Sequence, residues 1–288
     1  MFRTLISTAD LAMQVEDPSW VVVDTRYNLA DTSAGLAQYR EGHIAGAVYA
    51  SLSHDLASTP TGTNGRHPLP GVEAMAATFG RLGIAPGTQV VCYDADNMFA
   101  ARLWWMLRYV GHDAVAVLDG GFPKWVNEGR PVRPGEEHRA AGTFAPALRA
   151  GMRVPMEAVA AASIDGSLRL IDARAPERFE GRNETIDKAS GHIPGAANHF
   201  FKQNFATDGT MLPPTDLASA LTAAAAGAAP EAMVMYCGSG VTACQNLLAL
   251  EHAGLPGARL YVGSWSEWSS DPARPVETGA ATPVPPSS

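Results

Sequence analysis

Short apolar runs and longer helical patterns alternate along this chain of 288 residues. Trp20–Asp24, Thr88–Tyr93 and Ala114–Leu118, and later Leu168–Asp172, Met233–Tyr236 and Arg259–Val262, are rich in β-branched, apolar and aromatic residues. Runs of that length and composition read as strands covered on both faces. Between them, Asn97–Val110, Leu217–Ala228 and Thr242–His252 repeat their apolar residues at helical spacing. The alanine-rich stretch 218–229 belongs with the helices, because alanine is the best helix former. Strands alternating with helices predict an α/β fold, parallel sheets flanked by helices.

The pattern runs twice. VVVDTR (Val21 to Arg26) is followed by GHIAGA from Gly42, and RLIDAR (Arg169 to Arg174) by GHIPGA from Gly191. VVCYDADNMFAARLWW (Val90 to Trp105) lies over MVMYCGSGVTACQNLL (Met233 to Leu248), and LDGGFPKW (from Leu118) over YVGSWSEW (from Tyr261). Both matches share one offset of 143 residues, 90 to 233 and 118 to 261. A constant offset across separate blocks argues for duplication, and so for two α/β domains in tandem. On this reading residues 1–130 are the first domain and 151–275 the second. The polar, proline-rich 131–150 is a linker, and 276–288, rich in Pro, Ser and Thr, is a flexible C-terminal tail.

Composition narrows the function classes. Lys and Arg number 21 against 29 Asp and Glu, a net charge of -8. That sign speaks against a nucleic-acid partner, whose phosphates need a basic face. A local cationic pocket for a small anion is still compatible with it. No window approaches the ~20 apolar residues of a membrane span, and the first residues lack the basic stretch and apolar core of a secretory signal. The three cysteines, Cys92, Cys237 and Cys244, include no CxxC pair and no zinc-like cluster with histidine. The expectation is therefore reduced thiols in the cytoplasm, with no disulfide framework, metal site or membrane contact.

Cys237 carries the chemistry. It follows a predicted strand, precedes a predicted helix and opens the loop Cys237-Gly238-Ser239-Gly240-Val241-Thr242. Ligands bind at the carboxyl ends of parallel strands. Successive amides in such a turn form an anion nest, and the following helix adds its positive end. Both put positive potential where a thiolate would sit, and thiolate is the reactive form. Glycines allow φ > 0 and a close backbone approach. The plainer reading, a buried structural cysteine, is weakened by the repeat: the first half has Asp94-Ala95-Asp96-Asn97 at the same place. A purely structural demand would appear in both copies.

These blocks together resemble tandem-domain sulfurtransferases of the rhodanese family, over nearly the whole chain. The Asp-x-Arg and GHIxGA blocks in both halves carry the resemblance, with YDA…WWML and LDGG in the first and ERF, GHIPGA, CGSGVTA and GSWSEW in the second. CGSGVT is similar to the active-site loop of the family's 3-mercaptopyruvate branch. The resemblance implies a catalytically silent first rhodanese-like domain, with Asp94 in place of the cysteine, and a catalytic second one. It implies a ping-pong reaction without cofactor, in which Cys237 takes sulfur from a small anionic donor and holds it as a persulfide. Cyanide, a small thiol or a thioredoxin-like protein then accepts it. 3-Mercaptopyruvate is the favoured donor and thiosulfate the alternative.

The resemblance also assigns roles. Arg178, in ERF, binds the donor anion. A second arginine is implied nine residues on, where this chain has Asp187; Arg182 or Lys188 could compensate. Ser239 belongs to a Ser-His-Asp relay in which His67, in Gly65-Arg66-His67-Pro68, is the histidine. Ser53 stands where the aspartate would be, and Asp55 is a possible substitute. Other conspicuous residues read as structural. His43, His192 and the pairs Asp24/Arg26 and Asp172/Arg174 occur in both halves. Cys244 reads as a core thiol, and Trp104 and Trp105 as core or domain-interface residues. A cysteine phosphatase is disfavoured, because the C-x5-R pattern has Ala243 where its arginine belongs. A non-catalytic rhodanese-like binding protein is disfavoured by the intact Cys237 loop.

Overall fold

The computed structural model describes residues 1–280, which fall into two compact units. The first comprises Met1–Ser58, Leu69–Arg149 and Phe205–Met211; the second comprises Thr59–Pro68, Ala150–Asn204 and the chain from Leu212 onward.

In the first unit the elements run β1 (Leu5–Ile6), α1 (Thr8–Ala12), β2 (Trp20–Asp24), α2 (Ala34–Glu41), β3 (His43–Ile44), β4 (Val48–Tyr49), α3 (Val72–Arg81), β5 (Gln89–Tyr93), α4 (Ala100–Tyr109), β6 (Val115–Leu118), α5 (Gly121–Asn127) and β7 (Val132–Arg133). The sheet order is β1-β6-β5-β2-β4, all parallel, while β3 and β7 pair antiparallel apart from it. In the second unit follow α6 (Met156–Asp165), β8 (Arg169–Asp172), α7 (Pro176–Phe179), β9 (Ala197–Asn198), α8 (Pro214–Ala224), β10 (Met233–Tyr236), α9 (Ala243–His252), β11 (Arg259–Leu260) and α10 (Ser264–Trp268). Its parallel sheet has the order β11-β10-β8-β9. Both units are α/β, and each predicted strand is found within two residues of its expected ends.

Where helix limits move, a local cause is visible. The helix expected from Asn97 starts at Ala100, because the Asp94 carboxylate takes the amides of Asn97, Phe99 and Ala100 (2.6–2.8 Å) and winds the chain around itself first. The alanine-rich helix starts earlier than expected, at Pro214, where a proline loses no hydrogen bond. It ends at Ala224, ahead of a left-handed turn at Ala226 and Gly227. Trp104 and Trp105 are buried; the indole of Trp104 donates to the Arg3 carbonyl (2.8 Å), and Trp105 stacks on Tyr109.

The stretch read as a linker lies on the first unit. Beyond β7, Gly142 donates to Gly80 O and Ala147 to Val110 O (2.8 Å each), and Arg149 pairs with Asp113. Part of the expected tail is ordered too. Glu277 exchanges main-chain hydrogen bonds with His192 (2.8 and 3.0 Å), and Gly279 donates to Glu180 O; residues 281–288 lie outside the described residues.

One buried device closes both sheets. Asp24 is level with Tyr93 on the neighbouring strand, and Asp172 with Tyr236. Each aspartate accepts from the backbone and guanidinium of the arginine two residues on, at 2.9 Å for Arg26 Nε and for Arg174 Nε. The same arginines reach the carbonyls of Gly42 and Gly191 (2.7 Å each). His43 and His192 sit beside these glycines, fully buried, each with Nδ1 2.8 Å from a main-chain oxygen and its ring stacked on Tyr39 or Phe179. Burial lowers the His192 pKa, favouring a neutral ring. Buried charges persist only when paired and hydrogen-bonded, which is why the Asp-x-Arg and Gly-His blocks recur together.

Candidate active site

Cys237 is the first residue after β10, a central strand of the second sheet, and is 2 % exposed. Its amide donates to Ser264 Oγ (3.1 Å), and its carbonyl accepts from Trp265 N (2.9 Å). The next carbonyl, of Gly238, accepts from Ser266 N (2.9 Å). Two successive carbonyls are thus turned toward the start of α10. In trans peptides the N–H points opposite to its C=O, so the Gly238 and Ser239 amides face away from α10.

Gly240 has φ +72, and a methyl group there would run into the Val262 carbonyl. The backbone requires a left-handed residue with no side chain at this point. In the first unit the residue at the same offset, Asn97, is also left-handed (φ +57). Asparagine tolerates that conformation, so the turn itself is common to both units. What differs is the anion at its centre. In the first unit the Asp94 carboxylate fills the nest formed by Asn97, Phe99 and Ala100. Burial raises its pKa, and those amides oppose the shift. At the same offset in the second unit stand the amides of Gly240, Thr242 and Ala243, with Cys237 in place of Asp94. Val241 is buried and Thr242 half-buried as the loop enters α9.

Ser239, 6 % exposed, holds its Oγ 2.7 Å from His67 Nδ1. His67 comes from Thr59–Pro68, the early segment that belongs to the second unit. Asp55 belongs to the first unit, where its carboxylate accepts the Ser51 amide (2.8 Å) and pairs with Arg81. Those partners occupy it as a turn cap and ion pair.

Arg178 lies beside the loop, with Nη2 and Nη1 3.6 and 3.7 Å from where a methyl group on Gly238 would project. Glu184 holds it through Nε and Nη2 (2.9–3.0 Å), and Asp187 accepts from Nη2 (3.0 Å). Glu184 also accepts from Arg174 Nη1 (3.2 Å) and from the amides of Ile186 and Asp187. The two candidate substitutes for a second arginine are elsewhere: Arg182 is exposed and bonded to Glu180, and Lys188 is exposed. The side chain nearest Gly238 is Arg66, whose Nη2 is 2.7 Å from that same methyl position and whose Nη1 pairs with Asp187.

No sequence pattern assigns a role at this site to Arg66 or Glu184, or a pairing role to Asp187. Arg66 adjoins His67 in sequence, and that adjacency was the one available signal. Cys244 is fully buried, with Sγ 3.4 Å from Gly240 O, inside α9. Burial raises the Cys92 thiol's pKa on β5. Among the described residues no group of three or more His, Cys, Asp or Glu is placed to hold a metal ion, and no helix is long and apolar enough to cross a membrane.

Comparison with known proteins gives this geometry its context. The rhodanese-like domain family matches residues 7–128 and again 156–271. The chain is 43% identical to the probable 3-mercaptopyruvate sulfurtransferase of Pseudomonas aeruginosa, across 96% of this chain and 98% of that one. It is 40% identical to the putative thiosulfate sulfurtransferase SseB of Mycobacterium tuberculosis, across 97% and 98%. Among solved structures, the 3-mercaptopyruvate sulfotransferase SseA from Escherichia coli superposes with a TM-score of 0.79 at 29% identity, covering 92% of this chain and 99% of that one. With two matched domains and relatives of this similarity along almost its full length, the chain belongs to the rhodanese family of tandem-domain sulfurtransferases.

Proposed function

We propose that the protein moves sulfur from 3-mercaptopyruvate to a thiophilic acceptor through a persulfide on Cys237. The observation that carries this reading is the constellation at one loop: a buried cysteine at a strand end, Ser239 paired with His67 beside it, and guanidinium groups over Gly238.

The Cys237 thiolate attacks the donor sulfur, and the S–S bond forms as the donor's C–S bond breaks. The bonding pair leaves on carbon as the enolate of pyruvate, which takes up the proton released from the sulfur. Ser239 and His67 form the path for that proton, and Arg178 holds the donor carboxylate. The amides of Gly238 to Ala243 stabilise the negative outer sulfur. An acceptor (cyanide, a small thiol or a thioredoxin-like dithiol) then bonds to that sulfur, and the S–S pair returns to Cys237. With thiosulfate the same attack releases sulfite, and the name of the Mycobacterium tuberculosis relative favours this as the second reading. The relative from Pseudomonas aeruginosa and the neutral loop residues Gly238 and Ser239 support 3-mercaptopyruvate. A cytoplasmic setting, where thiols stay reduced, suits this chemistry.

The first unit is catalytically silent on this reading, since Asp94 supplies from within the chain the anion that the second unit accepts from a substrate. Asp94→Ala is expected to leave turnover essentially unchanged. Depriving three amides of their acceptor lowers stability by about 1–3 kcal/mol; urea unfolding beside steady-state assays checks both.

The donor assignment is tested by measuring kcat/KM for 3-mercaptopyruvate and thiosulfate under one set of conditions, with cyanide as acceptor. A higher kcat/KM for thiosulfate would overturn it.

A further inference from the structure

We propose that Arg66, steered by Asp187, is the second donor-binding cation of the Cys237 site beside Arg178, and that this pairing favours a donor of one negative charge over a dianion. The inference rests on the reading that Cys237 receives the sulfur.

Arg66 is fixed before its side chain is considered. Its amide donates to Ser266 Oγ (3.0 Å). The preceding Gly65 takes φ +86, close enough to Gly263 that a methyl group would lie 2.9 Å from the Gly263 carbonyl. The segment is thereby seated on the α10 end that also receives the Cys237 and Gly238 carbonyls. From there the guanidinium forks. Nη1 goes to Asp187, and Nη2 overhangs Gly238, the residue next to the sulfur carrier.

Asp187 holds both cations at once, pairing Oδ1 with Arg66 and Oδ2 with Arg178 (3.0 Å). Its side chain is 2 % exposed, whereas those of Arg66 and Arg178 are 29 % and 21 % exposed. The carboxylate is sunk and the guanidinium edges remain accessible, as a site for an incoming anion requires. Burial lowers the Arg66 pKa, the Cys237 charge opposes this and the Arg178 charge adds to it. Arginine at such a site remains cationic at neutral pH.

Charge counting gives the preference. Arg66, Arg178 and Arg174 bring three positive charges, and Asp187, Glu184 and Asp172 bring three negative ones. The cluster is neutral before a donor arrives. It offers forked hydrogen bonds to one carboxylate, but no excess charge for a second negative unit such as thiosulfate carries. Where the resemblance implied an arginine at position 187, this chain has the carboxylate and draws its arginine from position 66.

The test is the KM and kcat of the full chain for 3-mercaptopyruvate and for thiosulfate, with cyanide as acceptor. Arg66→Gln is expected to raise KM for both donors by about tenfold or more, the worth of one charge-assisted hydrogen bond, with kcat changed far less. Arg66→Lys, which keeps the charge and loses the fork, should fall between wild type and Arg66→Gln, and it carries the test should the glutamine variant not fold. Asp187→Asn should raise the thiosulfate-to-mercaptopyruvate ratio of kcat/KM by about tenfold, because one opposing charge is gone. Unchanged KM values in folded Arg66→Gln overturn the binding role, and an unchanged donor ratio in Asp187→Asn overturns the charge preference. If wild-type Cys237 gains no sulfur from either donor, the failure lies in the underlying reading instead.

Discussion

Cys237→Ser is expected to abolish sulfur transfer from both 3-mercaptopyruvate and thiosulfate while the protein stays folded. Serine is nearly isosteric, and the main-chain bonds that place residue 237, to Ser264 Oγ and from Trp265 N, do not involve the sulfur. The substitution therefore removes chemistry and little else. An alkoxide at this place is a far weaker nucleophile toward sulfur, and no stable chain of oxygen and sulfur corresponds to the persulfide. Intact mass after exposure to donor gives the direct readout. Wild type should gain one sulfur atom and return to its starting mass with cyanide, and the variant should gain none. Melting temperatures within about 2 °C of each other would show that the fold is unaffected. Sustained turnover by the serine variant, or sulfur found on Cys244 in the wild type, would sink the assignment.

The contrast with the first unit explains why that single atom matters so much. Both loops share a left-handed turn, at Asn97 and Gly240, and both follow a strand whose last tyrosine is level with a buried aspartate. The repeat made this correspondence legible in the sequence, offset and all. The first half has no glycine at this place, yet it makes the turn. Asparagine supplies the same φ, so the backbone demand is common to both copies and the difference lies in the anion.

Legibility fell off where residues from distant parts of the chain meet. Strands, helices and the Asp-x-Arg and Gly-His devices obey local rules of period, capping and pairing, and they stood out. Thr59–Pro68 has no apolar period, so nothing in its pattern tells that it belongs with the second unit or that Arg66 reaches the Cys237 loop; only the resemblance pointed to His67, whose ring does meet Ser239 of that loop. Asp187 was visible as a departure from the expected arginine. Its meaning depended on a partner 121 residues away, which no single-sequence pattern encodes. The polar stretch 131–149 misled in the opposite direction, since its hydrogen bonds to the first unit are made by backbone groups that composition does not reveal.

Glu184 offers the second large effect, on stability and on donor binding together. Its side chain is 1 % exposed, and it accepts from Arg174, from Arg178 and from the amides of Ile186 and Asp187. Arg174 is as deeply buried and already neutralises Asp172. Glu184→Ala leaves these donors with one carboxylate fewer inside the protein, and stranding a buried charge costs about 3–5 kcal/mol. Because the same carboxylate positions Arg178 and the turn that carries Asp187, KM for the donor should rise as well. The first unit provides the internal control: Arg26, the counterpart of Arg174, turns its Nη2 toward the Gln38 and Gly42 carbonyls. Hydrogen exchange should accordingly place the loss in the second unit, around β8 and α7, and leave β2 and β5 protected as in the wild type. Glu184→Gln keeps the side-chain volume and one acceptor oxygen, so its loss should be the smaller of the two. An alanine variant with the wild-type urea midpoint would mean that the Glu184 cluster does not hold the site together.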